Sequence, residues 1–182
     1  IFQSFVKSTQ LSMIGLESRK AAFEILKLVA NGVYSDVALQ KIFRRNNLSS
    51  LDKALVTELT YGSIRQRHLL DCWIDFLGTV PAVKQPPLLR WLLHIGIYQI
   101  FFMDRIPVSA VVNTTVELAK TSSLSRLSKV VNGILRAAAR AKEDGIMLPS
   151  PAKNHERISQ RYSLPLWLVN NLILWQGEEK AE

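Results

Sequence analysis

The chain has 182 residues, 48% of them hydrophobic and only 8 glycine and 7 proline, so it can bury the core of one ordinary domain. This composition excludes a disordered or low-complexity protein. Lysine and arginine number 23 against 15 aspartate and glutamate, and the net charge of +8 favours an anionic partner: a nucleic acid, an anionic membrane surface or an acidic protein.

Cysteine and histidine are too few for the common metal and disulfide arrangements. The single cysteine, Cys72, can form neither an internal disulfide nor a cysteine-based zinc cluster, which indicates a reducing compartment. The three histidines lack the spacing that places two imidazoles on one helix face. The most apolar stretch, 88–103, is shorter than the roughly 20 residues that a bilayer requires. We therefore expect no metal site and no membrane segment.

The first 15 residues, IFQSFVKSTQLSMIG, form an N-terminal extension rich in Ser and Thr and without an acidic residue. Such a composition is found at the end of organelle transit peptides. The alternative is an arbitrary chain start at Ile1, and the absence of arginine before Arg19 counts against the transit peptide.

From residue 16 onward, hydrophobic spacing predicts one helix after another and no strand, so the expected fold class is all-α. The predicted helices cover 16–31, 35–45, 49–62, 63–77, 88–103, 107–120 and 125–142. Gly32 and Gly62 are expected to end the helices that they follow. Ser49-x-x-Asp52 resembles a capping box in which Asp replaces Glu.

The stretch 88–103 is apolar almost all round, which predicts a central helix that the others surround. In the helix 63–77 we expect Leu69, Cys72, Trp73 and Phe76 to face the core. Arg65 projects from the same face and would need a partner, for which Glu58 or an aspartate is available.

The predicted helix 125–142 carries the most informative pattern. Arg126, Lys129, Arg136 and Arg140 fall within an arc of roughly 80°. Leu127, Val130, Val131, Ile134 and Ala138 lie opposite. The stretch from Arg126 to Lys142 contains five basic residues and no acid. The alternative is a solvated face of an amphipathic helix, but a cationic face without counter-charges is suited to phosphate, so nucleic acid is the preferred partner.

No arrangement of residues predicts catalysis. Cys72 lies within a helix on an apolar face, which is typical of a buried structural thiol. His94 is expected to be a core histidine with its hydrogen bonds satisfied, and Asp71 and Asp75 to be ordinary surface acids. No glycine-rich loop follows a strand, so no phosphate cradle of that kind is expected.

The stretch EDGIMLPSPAK, residues 143–153, predicts a linker because glycine and proline interrupt it. Two short helices are expected beyond it, at 154–162 and 165–176.

Three ordered blocks resemble one family. They are LDKALVTELTYGSIRQRHLLDCWID (51–75), LLRWLLHIGIYQIFFMDRIPVSAVVNTTVELAK (88–120) and VVNGILR (130–136). They are similar to the NusB-like domain of the Sun family of rRNA cytosine-5 methyltransferases. RYSLPLWLVNNLILWQGEEKAE resembles the segment where such proteins pass into their methyltransferase portion, although Leu164 replaces the usual His. The variants NTTVELAK and VVNGILR are closest to cyanobacterial or plastid members.

This resemblance implies a NusB-like helical bundle over 16–142, a linker over 143–153 and the start of a methyltransferase region over 154–182. It implies a non-catalytic domain that binds small-subunit rRNA, in a protein whose S-adenosylmethionine is bound by a catalytic domain that this chain lacks. A ribosomal protein and that catalytic domain are the other expected partners. The alternatives are a stand-alone transcription antitermination factor or a protein-docking module. The expected location is the cytoplasm, or the plastid stroma in a plant.

The expected RNA-binding residues fall into two groups. The charge pattern of the helix 125–142 favours Arg126, Lys129, Arg136 and Arg140, with Asn132 beside them as a donor to a base or sugar. The resemblance adds Arg19, Lys20, Arg65 and Arg67, because NusB-like proteins carry basic residues near their first helix. For Arg65 an internal ion pair is the preferred interpretation.

Overall fold

A computed structural model describes residues 15–177, and in this range nine α-helices are joined by turns with no β-strand. The helices are α1 (Leu16–Ala30), α2 (Ser35–Arg45), α3 (Ser50–Arg65), α4 (Arg67–Leu77), α5 (Pro87–Phe102), α6 (Val108–Lys120), α7 (Ser128–Glu143), α8 (Asn154–Tyr162) and α9 (Leu166–Gln176). The all-α prediction is confirmed. The expectations for residues 1–14 and 178–182 lie outside the described residues.

The central helix is α5, as its sequence predicts. Every residue from Trp91 to Ile100 is buried, and α1, α3, α4, α6 and α7 all pack against it. A helix that is apolar on every side can remove its surface from water only if other helices enclose it. Helix α2 packs against α1 and α3, and α8 packs against α4, so these two helices cover neighbours of α5.

Local signals explain where several helices begin and end. Gly32, at φ 88°, ends α1, and the Val33 N–H donates to the Leu28 carbonyl in the pattern of a Schellman cap. At the start of α3 the Asp52 N–H donates to Ser49 Oγ at 3.1 Å, which confirms the capping prediction. The Ser18 hydroxyl of α1 also donates to the Asp52 carboxylate at 2.6 Å, so the same residue joins two helices.

Gly62 does not end a helix, contrary to the prediction. Helix α3 continues to Arg65, and the break before α4 is at Gln66. The Tyr98 ring covers Gly62 so closely that an added Cβ would lie 2.1 Å from Tyr98 Cζ. This glycine therefore permits contact between α3 and α5, a role that spacing along the chain does not reveal.

The buried side of α4 is also wider than predicted. Leu70 and Ile74 are fully buried and Trp73 stacks on Phe101 at 4.0 Å between ring centroids, whereas Phe76 is 44% exposed. Helix α4 packs against α3, α5, α7 and α8, so its buried arc is set by four neighbouring helices. The helical wheel had predicted a single apolar face centred on Cys72 and Trp73, without Leu70 and Ile74.

Asp71 lies in a partly buried ionic network between α4 and α5, and is not an ordinary surface acid. Arg90 binds its carboxylate through both Nε, at 2.6 Å, and Nη2, and His94 Nε2 lies 2.9 Å from Oδ1. Burial acts to raise the Asp71 pKa, but the hydrogen bonds from His94 and Arg90 outweigh it and lower the pKa to about 2. His94 is buried as expected, but its Nδ1 has no hydrogen-bond partner among the described residues.

Asp75 likewise has a structural role, because its carboxylate accepts a hydrogen bond from the Ala82 N–H at 2.6 Å. It therefore holds the turn that leads from α4 toward α5. The sequence assigned both acids to the surface because they lie one helical turn apart among basic neighbours, and Asp75 is indeed exposed.

The two C-terminal helices are attached to the bundle through Ser163. This residue, at φ 54°, separates α8 from the turn before α9. Its Oγ accepts hydrogen bonds from the His68 and Leu69 N–H groups at 3.1 and 3.2 Å, and so caps the N-terminus of α4 from a distant part of the chain. None of the helices within 15–177 is long and apolar enough to cross a membrane.

The network around His94 predicts how stability depends on pH. Burial lowers the pKa of His94 below its ordinary value of 6.5, so below that pH the unfolded chain takes up a proton that the folded chain resists. We expect the melting temperature, followed by circular dichroism, to fall as the pH decreases from 6.5. The lowered pKa of Asp71 adds a second loss only below its ordinary value of 3.8.

The variant His94→Gln should show a flatter dependence between pH 6.5 and 5, and the control His155→Gln should match the parent chain. Equal slopes in the parent chain and in His94→Gln would contradict this assignment.

Candidate nucleic-acid interface

The predicted basic helix consists of two parts. A 3-10 turn, Ser125–Leu127, precedes α7, so Arg126 stands just before the helix and is not within it. Helix α7 packs against α5 and α6, and Leu135 lies over Gly96, where an added Cβ would be 2.6 Å from Leu135 Cδ2. This close contact fixes which side of α7 faces the core.

The apolar side of α7 confirms most of the prediction. Val131, Ile134 and Ala138 are buried, together with Leu135. Val130 was expected inside and is 40% exposed. The buried side is centred on Val131 and Leu135, and Val130 is displaced from Val131 by about 100° around the helix, which places it at the edge.

The opposite side of α7 presents the predicted cations to solvent. Arg126, Lys129, Arg136 and Arg140 are all exposed. Within the part of the chain that the structure describes, none of the four forms a salt bridge with a carboxylate; the ion pairs all involve other residues. Arg136 Nε donates to Asn132 Oδ1 at 3.1 Å, so Asn132 orients a cation. The result is a row of uncompensated positive charge, which we call the basic face.

Lys142 ends the basic run of the sequence but does not belong to the basic face. Its Nζ donates to the Ile100 carbonyl at 2.6 Å and to Asp104 Oδ1 at 2.8 Å. The hydrogen bond and charge of Lys142 lower the Asp104 pKa. Lys142 therefore attaches the end of α7 to the end of α5.

Arg19, one of the predicted binding residues, is buried. It is only 3% exposed, and its Nη1 donates to the Gly15 carbonyl at 2.9 Å. Burial lowers its pKa to about 10. Helix α1 packs against four helices, and the hydrogen bond of the Arg19 guanidinium is made within the same helix end. The neighbouring Lys20 is exposed, as predicted, but on α1.

Arg67 is exposed but lies far from the basic face. Its guanidinium stands over the Trp91 ring at 5.2 Å, and burial together with the charge of Arg90 lowers its pKa. The C-terminal end of α4 is the end close to α7, because Gly78, just after α4, lies beside Ile134 of α7. Arg67 is at the opposite end of this 11-residue helix, about 16 Å away along its axis.

Arg65 is exposed and does not form the expected salt bridge with Glu58 among the described residues. The Tyr98 hydroxyl donates to Glu58 Oε1 and also interacts with Arg65. Glu58 and Arg65, both on α3, therefore interact with the same tyrosine of α5, and this joins the two helices.

One cleft among the described residues lacks the groups that would bind S-adenosylmethionine. A cleft of about 590 Å³ lies between α4, α8 and the segment 145–151, but its lining includes Lys142, Arg157 and Arg161 and no carboxylate that could bind ribose hydroxyls or an ammonium group. Over 15–177 there is no group of three potential metal ligands. Burial raises the Cys72 pKa to about 11, so this thiol is a poor nucleophile.

Known proteins resemble the chain in sequence and in fold. The sequence profile of the NusB family matches residues 16–140. A probable ribosomal RNA small subunit methyltransferase B of the cyanobacterium Synechocystis sp. is 43% identical over 170 residues, which are 92% of this chain and 37% of that protein. The protein of the same name from Bacillus subtilis is 29% identical, over 97% of this chain and 38% of its own length.

A solved structure has the same fold. The crystal structure of PH0851 matches 91% of this chain and 37% of its own with a TM-score of 0.73 and 16% sequence identity. The chain therefore spans less than two fifths of the length of each of these three proteins.

Lys142 and Arg140 should differ in their effect on stability. We expect Lys142→Met to lower the free energy of unfolding by about 1 kcal/mol, because it leaves the partly buried Ile100 carbonyl without its donor. Arg140→Met should change it by less than about 0.5 kcal/mol, because Arg140 makes no hydrogen bond to a described residue. Urea unfolding measures both, and equal losses would contradict the separation between anchor and basic face.

Proposed function

The chain belongs to the NusB family, and from this we propose that it is a non-catalytic RNA-binding domain that helps an rRNA methyltransferase to engage small-subunit rRNA. The basic face of α7 is the observation that carries the proposal. Four exposed cations stand there without a carboxylate partner among the described residues.

The geometry of the basic face suits a phosphate backbone. Lys129, Arg136 and Arg140 lie within 12 consecutive residues of α7, which extend about 16 Å along the helix axis. Because these cations form no salt bridge with a described carboxylate, binding phosphate breaks no ion pair there and releases the counterions of the RNA. A membrane surface would require bulky apolar residues beside the cations. The basic face instead contains Gly133 and Asn132.

The relatives support the methyltransferase context over a stand-alone antitermination factor. Proteins that match almost the whole of this chain are named as small-subunit methyltransferases and continue well beyond the matched part. We assign 16–142 to the RNA-binding domain, 143–153 to a linker and 154–182 to the start of the methyltransferase region, with 1–15 as an extension. S-adenosylmethionine would be bound outside residues 15–177. The corresponding location is the cytoplasm, or the plastid stroma in a plant.

The test is a salt titration of RNA binding. We expect fragments of small-subunit rRNA to bind with an affinity that falls steeply with salt. Replacing Arg126, Lys129, Arg136 and Arg140 together by Glu should abolish most of the affinity. A variant with the four cations replaced by Gln should reduce the slope of log affinity against log salt by about 3, at roughly 0.7 for each lost contact to a single strand.

A control variant separates a local effect from total charge. Lys41, Arg44, Arg45 and Lys84 are exposed and lie outside α7, and their replacement by Glu changes the net charge equally. This control should lose much less affinity. Equal losses in the two charge-reversed variants, or none in the first, would refute the basic face as the binding site.

Protein docking is a second candidate function, favoured by α9. Leu166, Trp167, Leu174 and Trp175 are large and exposed, while Val169 is the one buried residue of this helix. The main packing partner of α9 among the described elements is α8. An apolar surface of this kind is typical of an interface, and the remainder of a methyltransferase or a ribosomal protein would fit it.

A chimera tests docking to the methyltransferase portion. In this chimera the present chain replaces the matched part of the Synechocystis protein. It is compared with the same chimera carrying both Leu174→Ser and Trp175→Ser. We expect limited proteolysis to cut the double variant faster between the two parts, and Tyr34→Ser, at an exposed site elsewhere, to have no effect. Identical digestion of all three would exclude docking through α9 in this context.

A further inference from the structure

The cleft between α4, α8 and the segment 145–151 has the size and the position of a small-molecule site. Its volume of about 590 Å³ falls within the range of roughly 300–1,000 Å³ that is typical of ligand pockets. Such pockets are common where two structural units meet, and this cleft lies where the helical bundle meets α8. We call it the junction cleft. Neither the basic face nor α9 contributes to its lining.

Apolar and aromatic side chains form most of the lining of the junction cleft. Trp73 of α4 and Phe101 of α5 both line it, and their rings are stacked with an interplanar angle of 17°. Met147 lines the same cleft and is 84% exposed, so its thioether is available to pack on an aromatic ring. A flat aromatic compound therefore suits this cleft, because it exchanges water for ring and thioether contacts.

The polar part of the lining includes two arginines of α8. Arg157 and Arg161 stand one turn apart, about 6 Å along the helix axis, and both are exposed. Within 15–177 neither forms a salt bridge with a carboxylate. Arg157 Nη2 donates to Asn154 Oδ1 at 2.7 Å, and the Arg161 guanidinium lies 5.4 Å from the centroid of the Tyr162 ring. Their positive charge is thus not neutralised by a described residue.

No acidic residue lines the junction cleft. Lys142 is the third cation of the lining, but it is already paired with Asp104 at 2.8 Å. The cleft therefore combines an apolar surface with two guanidinium groups that lack a carboxylate. A carboxylate ligand can accept charge-assisted hydrogen bonds from such groups, which are stronger than hydrogen bonds between neutral partners.

We propose that the junction cleft binds a small planar aromatic carboxylate. Its rings lie against Trp73, Phe101 and Met147, and its carboxylate accepts hydrogen bonds from Arg157 and Arg161. Because this ligand contacts both the bundle and α8, its binding stabilises the junction between them. The site is separate from the basic face and does not depend on RNA binding.

The test compares two isosteric ligands, 2-naphthoate and 2-naphthamide. They share one ring system and one number of non-hydrogen atoms, and only the carboxylate is charged at neutral pH. We expect isothermal titration calorimetry of the parent chain to give an affinity about tenfold or more higher for 2-naphthoate, the effect of a hydrogen bond to a charged group. Equal affinities, or no binding of 2-naphthoate at millimolar concentration, would overturn the proposal.

Charge variants locate the carboxylate. Arg157→Gln with Arg161→Gln should abolish the preference for 2-naphthoate over 2-naphthamide. Lys41→Gln with Arg44→Gln, on α2, removes the same charge elsewhere and should preserve the preference. All four side chains are exposed, so both variants are expected to fold, and circular dichroism checks this. A preference that survives in the first variant, or disappears in the second, refutes binding of the carboxylate by the α8 arginines.

Apolar variants locate the rings. Ile146→Ser with Met147→Ser should weaken both ligands by about fivefold or more, because it removes apolar surface from the lining. Neither residue belongs to the core of the bundle. Leu174→Ser with Trp175→Ser, on the exposed surface of α9, should weaken neither ligand. Unchanged affinity in the first variant, or a loss in the second, would contradict the placement of the rings in the junction cleft.

Discussion

The structure depends on the burial of one helix, α5, which has no polar side to turn toward water. From Trp91 to Ile100 it is enclosed by five other helices, and each of them must supply an apolar side for that purpose. Two glycines allow close contacts between helices. Gly62 of α3 lies beneath Tyr98 of α5, and Gly96 of α5 lies beneath Leu135 of α7. These contacts determine how the surrounding helices are rotated, and hence which side chains remain at the surface.

The polar groups inside the bundle are arranged to satisfy this enclosure. Asp71 on α4 accepts hydrogen bonds from Arg90 on α5 and pairs with His94. A charged pair in a partly buried position must be well hydrogen-bonded to compensate for lost hydration. Ser163 serves the same end at the N-terminus of α4, where its hydroxyl oxygen accepts two backbone hydrogen bonds. The polar contacts thereby connect α4 to both the central helix and the C-terminal pair.

The basic face follows from how α7 is held. Leu135 over Gly96 fixes its rotation, and Lys142 ties its last turn to Ile100 and Asp104. With one side of α7 committed to the core, the cations on the other side have no carboxylate within reach among the described residues. Their charge is available to a partner, whereas Arg19 and Lys142, equally basic, are occupied within the protein.

The sequence by itself determined the features that depend on neighbours along the chain. The 3.6-residue period of apolar residues indicated the helices and the central position of α5, and Gly32 and Ser49 marked helix ends. The spacing of Lys129, Arg136 and Arg140 placed these three cations on one side of α7, with Arg126 in the turn before it. Three blocks resembling the NusB-like domain indicated the family. Only the tertiary structure decided the fate of residues whose partners lie far away. Arg19 is enclosed, Asp71 is an ionic centre, Gly62 is a packing contact and Val130 is exposed. Burial and pairing depend on which helices meet, and that depends on side-chain packing between segments that are distant in sequence.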